Sequence, residues 1–355
     1  MLYFYQSISP HPIENLHQYL HHFFTQLFAE VSPTYDHAVH IHADFKATID
    51  KNEVQVDDRL KAIFTAYAAL QPAGKAICKK AYSNNNNVTG VCNMTVEPVK
   101  YKTLPAGIRT PIKNLYDNLW GENKILGYSN VVAKCGTLKE HFTEFRENNN
   151  YSVCPFCGID SLICKSDDGK DDYDHYLPKS KYPFISVNFE NLLPMCHNCN
   201  SKNKGQVDTP FVKDTTIQRP LYYPLDNSIS NHKIIVTISG GNYDLSDPTT
   251  WTLKIVCEPF TNVTRKESWV EIFKIEKRYK SIIADESKTW KGWIFEKHRK
   301  LCKKNNVAYS VFHEVVIDDF SDCFNINKGI IIDSFYKFVL NDPNCESYLT
   351  GNVII

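Results

Sequence analysis

Apolar residues recur at helical spacing through the first third of the chain. Between Pro12 and Glu30, the residues Ile13, Leu16, Leu20, Phe23, Phe24, Leu27 and Phe28 predict one amphipathic helix. Asp57–Leu70 predicts a second, its end marked by Pro72 and Gly74. Ser83-Asn-Asn-Asn-Asn87 predicts a loop by composition. A third helix is predicted from Thr110 as N-cap and Pro111 as first helical residue, through Ile112, Leu115, Tyr116, Leu119 and Trp120, to a stop at Gly121. The polar run Glu147–Asn150 marks the next boundary. After Pro210 the pattern shifts toward strands: Lys233–Thr237 and Leu253–Cys257 flank a turn region containing Gly240-Gly241-Asn242. Thr264–Cys302 predicts a long basic helix broken near Gly292, and Gly329–Leu340 a last helix. Residues 151–206 lack helical periodicity and are rich in Cys, Pro, Asn and Asp. Three regions follow: 1–145, helical; 146–212, compact and cysteine-bearing; and 213–355, with short strands and a long basic helix.

Composition narrows the class. The 355 residues are 43% hydrophobic and 23% charged, which excludes a mainly disordered chain. No apolar run approaches the roughly 18 residues of a membrane span. The opening MLYFYQSISPHP has neither a basic nor a long apolar segment, so no signal peptide is expected. A cytoplasmic setting and reduced thiols follow, and the Asn-x-Ser/Thr sequons at Asn87, Asn93, Asn150 and Asn262 are coincidence. Forty basic residues balance 40 acidic ones, an apparent argument against a nucleic-acid binder. The balance is uneven, however. Residues 1–60 are net −5, residues 265–304 net +7 and residues 305–355 net −5. Local positive charge on a neutral chain is compatible with a polyanion partner.

Four of the 12 cysteines form two short pairs, Cys154-Pro-Phe-Cys157 and Cys196-His-Asn-Cys199. One such pair turns two thiolates toward a point, and two pairs complete a tetrahedral, structural zinc site. The others, among them Cys164 between the pairs, are expected to be small buried apolar residues. His197 is expected to face solvent. His37, His40 and His42 are expected on the surface rather than around a metal, and Asp167-Asp168-Gly-Lys-Asp171-Asp172 as a solvated loop. The series Trp269, Phe273, Tyr279, Trp290 and Trp293 is expected to pack before it stacks on bases. Arg265, Lys266, Lys277, Arg278 and Lys280 beside it can track a phosphate backbone.

Between and beside the cysteine pairs stand Asp174-His175, Asn191 and Asn200. Phosphodiester hydrolysis needs a base, an oxygen-ligated divalent cation and a group that orients the base. His175 suits the base, since imidazole titrates near neutrality. Asp174 and Asn200 offer hard oxygens of the kind Mg²⁺ or Mn²⁺ takes, and the Asn191 amide can orient the imidazole. Residues 175–205 are net +3, a positive surface where phosphate must sit.

Over Cys154–Gly205 this arrangement resembles the HNH endonucleases of the ββα-metal superfamily, in their zinc-containing, four-cysteine form. The resemblance implies an α+β fold in which a zinc-stabilised ββα-metal module sits between a mainly helical N-terminal region and a mixed α/β C-terminal region. It implies Asp174 and Asn200 as ligands of a catalytic divalent ion, His175 as general base and Asn191 as the central Asn. Asn200 stands where the family often has His. Lys179, Lys181, Lys202 and Lys204 are the expected phosphate contacts. The implied activity is hydrolysis of DNA. Modules so embedded look like effectors of prokaryotic anti-phage systems, including the Septu type, which pairs an HNH subunit with an ATPase. An RNase of the same type, for example one cutting tRNA, and a non-catalytic zinc ribbon that only binds nucleic acid or protein are the alternatives.

Overall fold

A computed structural model describes residues 3–121, 123–163, 171–229, 232–241, 245–321 and 326–351. Cys164, Asp167, Asp168, Asn242 and Cys323 lie outside them. The first amphipathic pattern forms helix Asn15–Ala29, entered through a short 3₁₀ turn, Pro12–Glu14. Its buried stripe of Leu16, Leu20, Phe23, Phe24 and Leu27 meets helices Asp58–Ala68 and Pro72–Asn86 in an N-terminal core. A second core joins the cysteine-bearing segment to the C-terminal region. The central segment therefore feeds both: Tyr173, Phe184, Phe189 and Leu192 enter the first, and Phe156, Tyr176, Leu177 and Leu193 the second. The start of the chain crosses over as well. Tyr5 is buried in the second core, and its hydroxyl donates to the Pro194 carbonyl at 2.7 Å.

The mixed α+β class is what the structure shows, with two small antiparallel sheets among the described residues. Strands β1 (Tyr173–His175) and β2 (Leu192–Pro194) pair Tyr173 with Pro194, Asp174 with Leu193 and His175 with Leu192. Strands β3 (Lys233–Ser239) and β4 (Thr252–Glu258) pair through the register Lys233↔Glu258 to Ser239↔Thr252. Gly329–Leu340 is a helix as predicted. Helix Leu138–Asn148, closed by a Thr137/Glu140 capping box, spans the expected boundary at residue 145.

Local signals misplaced several boundaries. The second predicted helix ends at Ala68, ahead of Pro72 as expected, but Pro72 itself begins a further helix that runs through Ser83–Asn86, where a loop was expected. The asparagines tolerate helix because their amides bond a neighbouring segment. Val99 N–H donates to Asn85 Oδ1 at 2.8 Å, and Asn85 Nδ2 donates to the Val99 carbonyl at 3.0 Å. Asn87 then caps the next helix by accepting from Gly90 N–H. Pro111 lies inside helix Ala106–Tyr116 rather than at its start. The basic helix breaks not at Gly292 but between Val263–Ile272 and Ile275–His298, where Lys274 takes φ 53°. Trp269, Phe273, Tyr279 and Trp290 are buried, as packing predicts, whereas Trp293 is exposed.

Asn85 is buried, so Asn85→Ala strands a backbone donor and an acceptor, at about 1–3 kcal/mol each. We expect it to lower unfolding free energy by about 2–4 kcal/mol in denaturant titration. Asn84→Ala, at an exposed contact with the Glu97 carbonyl, should cost under about 1 kcal/mol. Equal small effects for both would refute this account of the asparagine run.

Candidate active site

The two cysteine pairs meet. All four Sγ atoms are buried and lie within 4.8 Å of one another, with Cys157 and Cys196 at 3.9 Å. A tetrahedral zinc with bonds of about 2.3 Å would hold sulfurs about 3.8 Å apart, so the cage fits that ion. The knuckles are set by local backbone. Cys157 and Gly158 N–H groups donate to the Cys154 carbonyl, and Gly158 takes φ 66°, a conformation that favours glycine. Ile159 and Cys199 N–H groups point at Cys157 and Cys196 sulfurs, each at 3.4 Å. Burial pushes the Cys154 and Cys199 thiols up, while at Cys157 hydrogen bonds from its three neighbours outweigh burial and hold it low. Such a cage favours its full set of thiolates only with a cation inside. The group can therefore hold a structural zinc.

A long-range contact completes this cage. Arg278, expected on a phosphate backbone, instead turns inward from helix Ile275–His298. Its guanidinium donates to Cys199 Sγ at 3.3 Å and to Asp160 Oδ2 at 3.1 Å. The neighbouring Tyr279 hydroxyl donates to the Cys157 carbonyl, and Trp269 Nε1 to the Phe156 carbonyl. Arg265 is likewise used internally, on the Leu221 carbonyl and Asn93. Four thiolates around one divalent ion leave a net −2, which Arg278 partly neutralises. Groups that contact metal ligands in this way typically contribute 10–100-fold in metal affinity. Arg278→Met should speed zinc transfer to a colorimetric chelator by about tenfold or more, and Arg278→Lys by less. Identical transfer rates for all three proteins would show that the contact is incidental.

The predicted catalytic residues fall as follows. Asp174 is buried; its Oδ1 accepts from Lys204 Nζ at 3.0 Å, and its Oδ2 has no hydrogen-bond partner among the described residues. Burial raises the Asp174 pKa, opposed by Lys204. Lys204, expected at the surface on phosphate, is instead buried, and its amine also donates to the His175 carbonyl at 2.8 Å. It stands at the end of the wide helical turn Asn198–Lys204, stopped by Gly205 at φ 49°. Asn200 is half-buried on the same turn, one winding before Lys204.

His175 closes β1. Its Nε2 lies 3.0 Å from the Ser186 carbonyl. A carbonyl only accepts, so Nε2 carries the proton and Nδ1 keeps the lone pair. Burial, then the charge of Lys179, push the imidazole pKa down to about 3, so it is neutral at physiological pH. Trp120 meets the ring edge-on at 5.2 Å. Asn191 was expected from sequence to orient the imidazole, but its hydrogen bonds go elsewhere. Its amide instead accepts from Leu177 N–H at 2.8 Å and donates to the Leu177 carbonyl at 3.0 Å, pinning the chain just after His175. The hydrogen bond that holds the ring goes to the Ser186 backbone carbonyl, which carries no side-chain signature in the sequence. Lys179 is half-buried, Lys202 exposed, and Lys181 lies 3.9 Å from Asp208. His197 is exposed, His37 pairs with Asp57 at 2.8 Å, and His40 is buried. Among the described residues the only metal-ligating cluster is that of the four cysteines, and no helix is long and apolar enough to cross a membrane.

No protein-family model and no solved structure matches this chain. Over 113 residues it is 46% identical to protein ea31 of Escherichia phage lambda, which covers 31% of each chain. Over 59 residues it is 41% identical to Septu protein PtuB of Bacillus thuringiensis, covering 17% of this chain and 20% of that one. The chain thus spans about a third and a fifth of these relatives, and it shares a partial homology with a Septu protein alongside its buried four-cysteine cage.

Proposed function

We propose that this chain is a metal-dependent endonuclease of the HNH type that hydrolyses DNA phosphodiester bonds in anti-phage defence, acting with a partner subunit. The observation that carries the reading is the pairing of a neutral, backbone-held imidazole with an adjacent buried carboxylate oxygen that lacks a hydrogen-bond partner among the described residues. Neither is needed by a zinc ribbon. The partial likeness to a Septu protein supports the defence setting.

Asp174 Oδ2 and the Asn200 amide oxygen fit an oxygen-preferring Mg²⁺ or Mn²⁺. When bound there, the ion would stabilise charge on the phosphate and on the departing 3′ oxygen. Lys204 offsets the Asp174 charge from the other oxygen and keeps that carboxylate turned toward the site. His175 accepts a proton from the attacking water at Nδ1. The Ser186 carbonyl holds the ring against rotation, and Trp120 shields one side from solvent. β1 ends at His175, so the imidazole stands at the strand's end where a phosphate can approach it, while the buried Asp174 oxygen would act on the phosphate through the bound ion.

The test is incubation of the full chain with plasmid DNA and with total RNA, with Mg²⁺ or Mn²⁺ present or omitted. Metal-dependent cutting of DNA is expected. Cutting confined to RNA would move the substrate to RNA on the same site. No cutting of either, with the partner subunit added, would leave a binding module.

A further inference from the structure

We propose that a lysine-lined groove spanning all three regions of the chain carries the nucleic-acid backbone to the candidate site, an inference that rests on the nuclease reading. The main cleft, of about 1280 Å³, is walled by Lys100, Lys102, Lys181, Lys213 and Lys274. Two smaller cavities share its walls. One adds Lys80 beside Lys100 and Lys102; the other continues past Lys274 to Lys277 and Lys280.

Sign and pairing decide what this groove can take. Most of its carboxylates are already engaged. Asp208 holds Lys100 at 2.8 Å and Lys181 at 3.9 Å, Glu271 holds the buried Arg219 at 2.9 Å, and Glu276 holds Lys280 at 3.8 Å. Glu97 lies 3.9 Å from Lys80, and Asp214 is the exception. Lys102, Lys213, Lys274 and Lys277 are exposed, with no ion pair among the described residues. The groove therefore presents free ammonium groups on a floor whose internal charges are balanced. Lys100 is fixed over the Phe211 ring at 4.0 Å, so part of the wall is rigid.

Position supplies the second argument. Asn203 and Gln206 line the cleft and belong to, or directly follow, the turn that carries Asn200 and Lys204. Ser180 and Lys181 come from the loop that leaves His175. The segments that carry the candidate site residues thus also form part of the groove wall. A chain of phosphates matches a row of separated cations along that wall, with contacts that fix position and not sequence.

The test measures binding of labelled duplex DNA and of single-stranded RNA to the full chain without added divalent ion, over a salt series. The triple variant Lys102→Gln/Lys213→Gln/Lys274→Gln should bind at least about tenfold more weakly at low salt. Its log–log salt slope should fall by about 0.9 per lysine on duplex, or about 0.7 on single strands, which also tells the two substrates apart. A control triple at exposed Lys51, Lys61 and Lys134 should match wild type. Unchanged affinity and slope in the groove variant, with wild type still cutting, would overturn the groove and leave the nuclease reading standing. A wild type that neither binds nor cuts would overturn both. Loss of polyglutamate binding with nucleic-acid binding intact would assign the groove to an acidic polypeptide and refute this proposal.

Discussion

His175→Ala is expected to slow phosphodiester hydrolysis by about 10²–10⁴-fold, the range for removing a positioned general base. That is about 3–5 kcal/mol on the barrier. The expectation follows from the proton count on the ring. Nε2 is committed to the Ser186 carbonyl, so the free lone pair is at Nδ1. Burial and Lys179 keep the imidazole uncharged before substrate arrives. An incoming phosphate anion favours the protonated ring, so basicity rises when it is needed. Alanine also strips the Ser186 carbonyl of its donor, a loss of about 1–3 kcal/mol, too small to unfold the chain. The variant should therefore keep its melting temperature within a few degrees while its single-turnover rate collapses. A folded His175→Ala protein that cuts at the wild-type rate would eliminate this residue as the base.

Cys154→Ser should produce a different kind of loss. Structural zinc in finger peptides binds with apparent free energies of about 10–16 kcal/mol. A whole domain is stable by only about 5–15 kcal/mol. Cys154, Cys157, Cys196 and Cys199 belong to the same buried core as Trp269, Tyr279 and Trp290. Opening the cage therefore also exposes the docking surface of the long C-terminal helix. We expect a protein that is insoluble, or zinc-free and melting at least about 10 °C lower, at a few degrees per kcal/mol. Strong chelation of the wild-type protein should reproduce the drop. Reduced cutting here would be a consequence of misfolding. A soluble, zinc-free and fully active Cys154→Ser protein would contradict a structural role for the cage.

The residues at the centre of these predictions differ in how visible they were. The cysteine pairs stood out because a knuckle is local: a spacing of three positions suffices to aim two sulfurs at one point. Asp174-His175 stood out because the two residues are adjacent. Helix Asn15–Ala29 was legible because one face must be apolar to be buried. The asparagine run was misread because Asn favours turns until a partner such as Val99 satisfies its amide, and that partner is 14 residues away. The break at Lys274 was missed because Gly292 is the weaker helix former by propensity, whereas docking on the cysteine segment sets where the chain bends.

By itself the sequence determined the ligand types, the helical faces and the order of the chemistry-bearing residues, since these depend on side-chain identity and short spacing. Only the tertiary structure decided their partners. It placed Arg278 against a cysteine 79 residues earlier. It buried Lys204 on Asp174, and it gave the His175 imidazole to a backbone carbonyl instead of to Asn191. It also gathered lysines from three regions into one groove on a chain of zero net charge. The physical reason is common to all of these. Desolvation forces each buried polar or charged group to find a complement, and which complement is nearest is a property of packing across long separations in the chain.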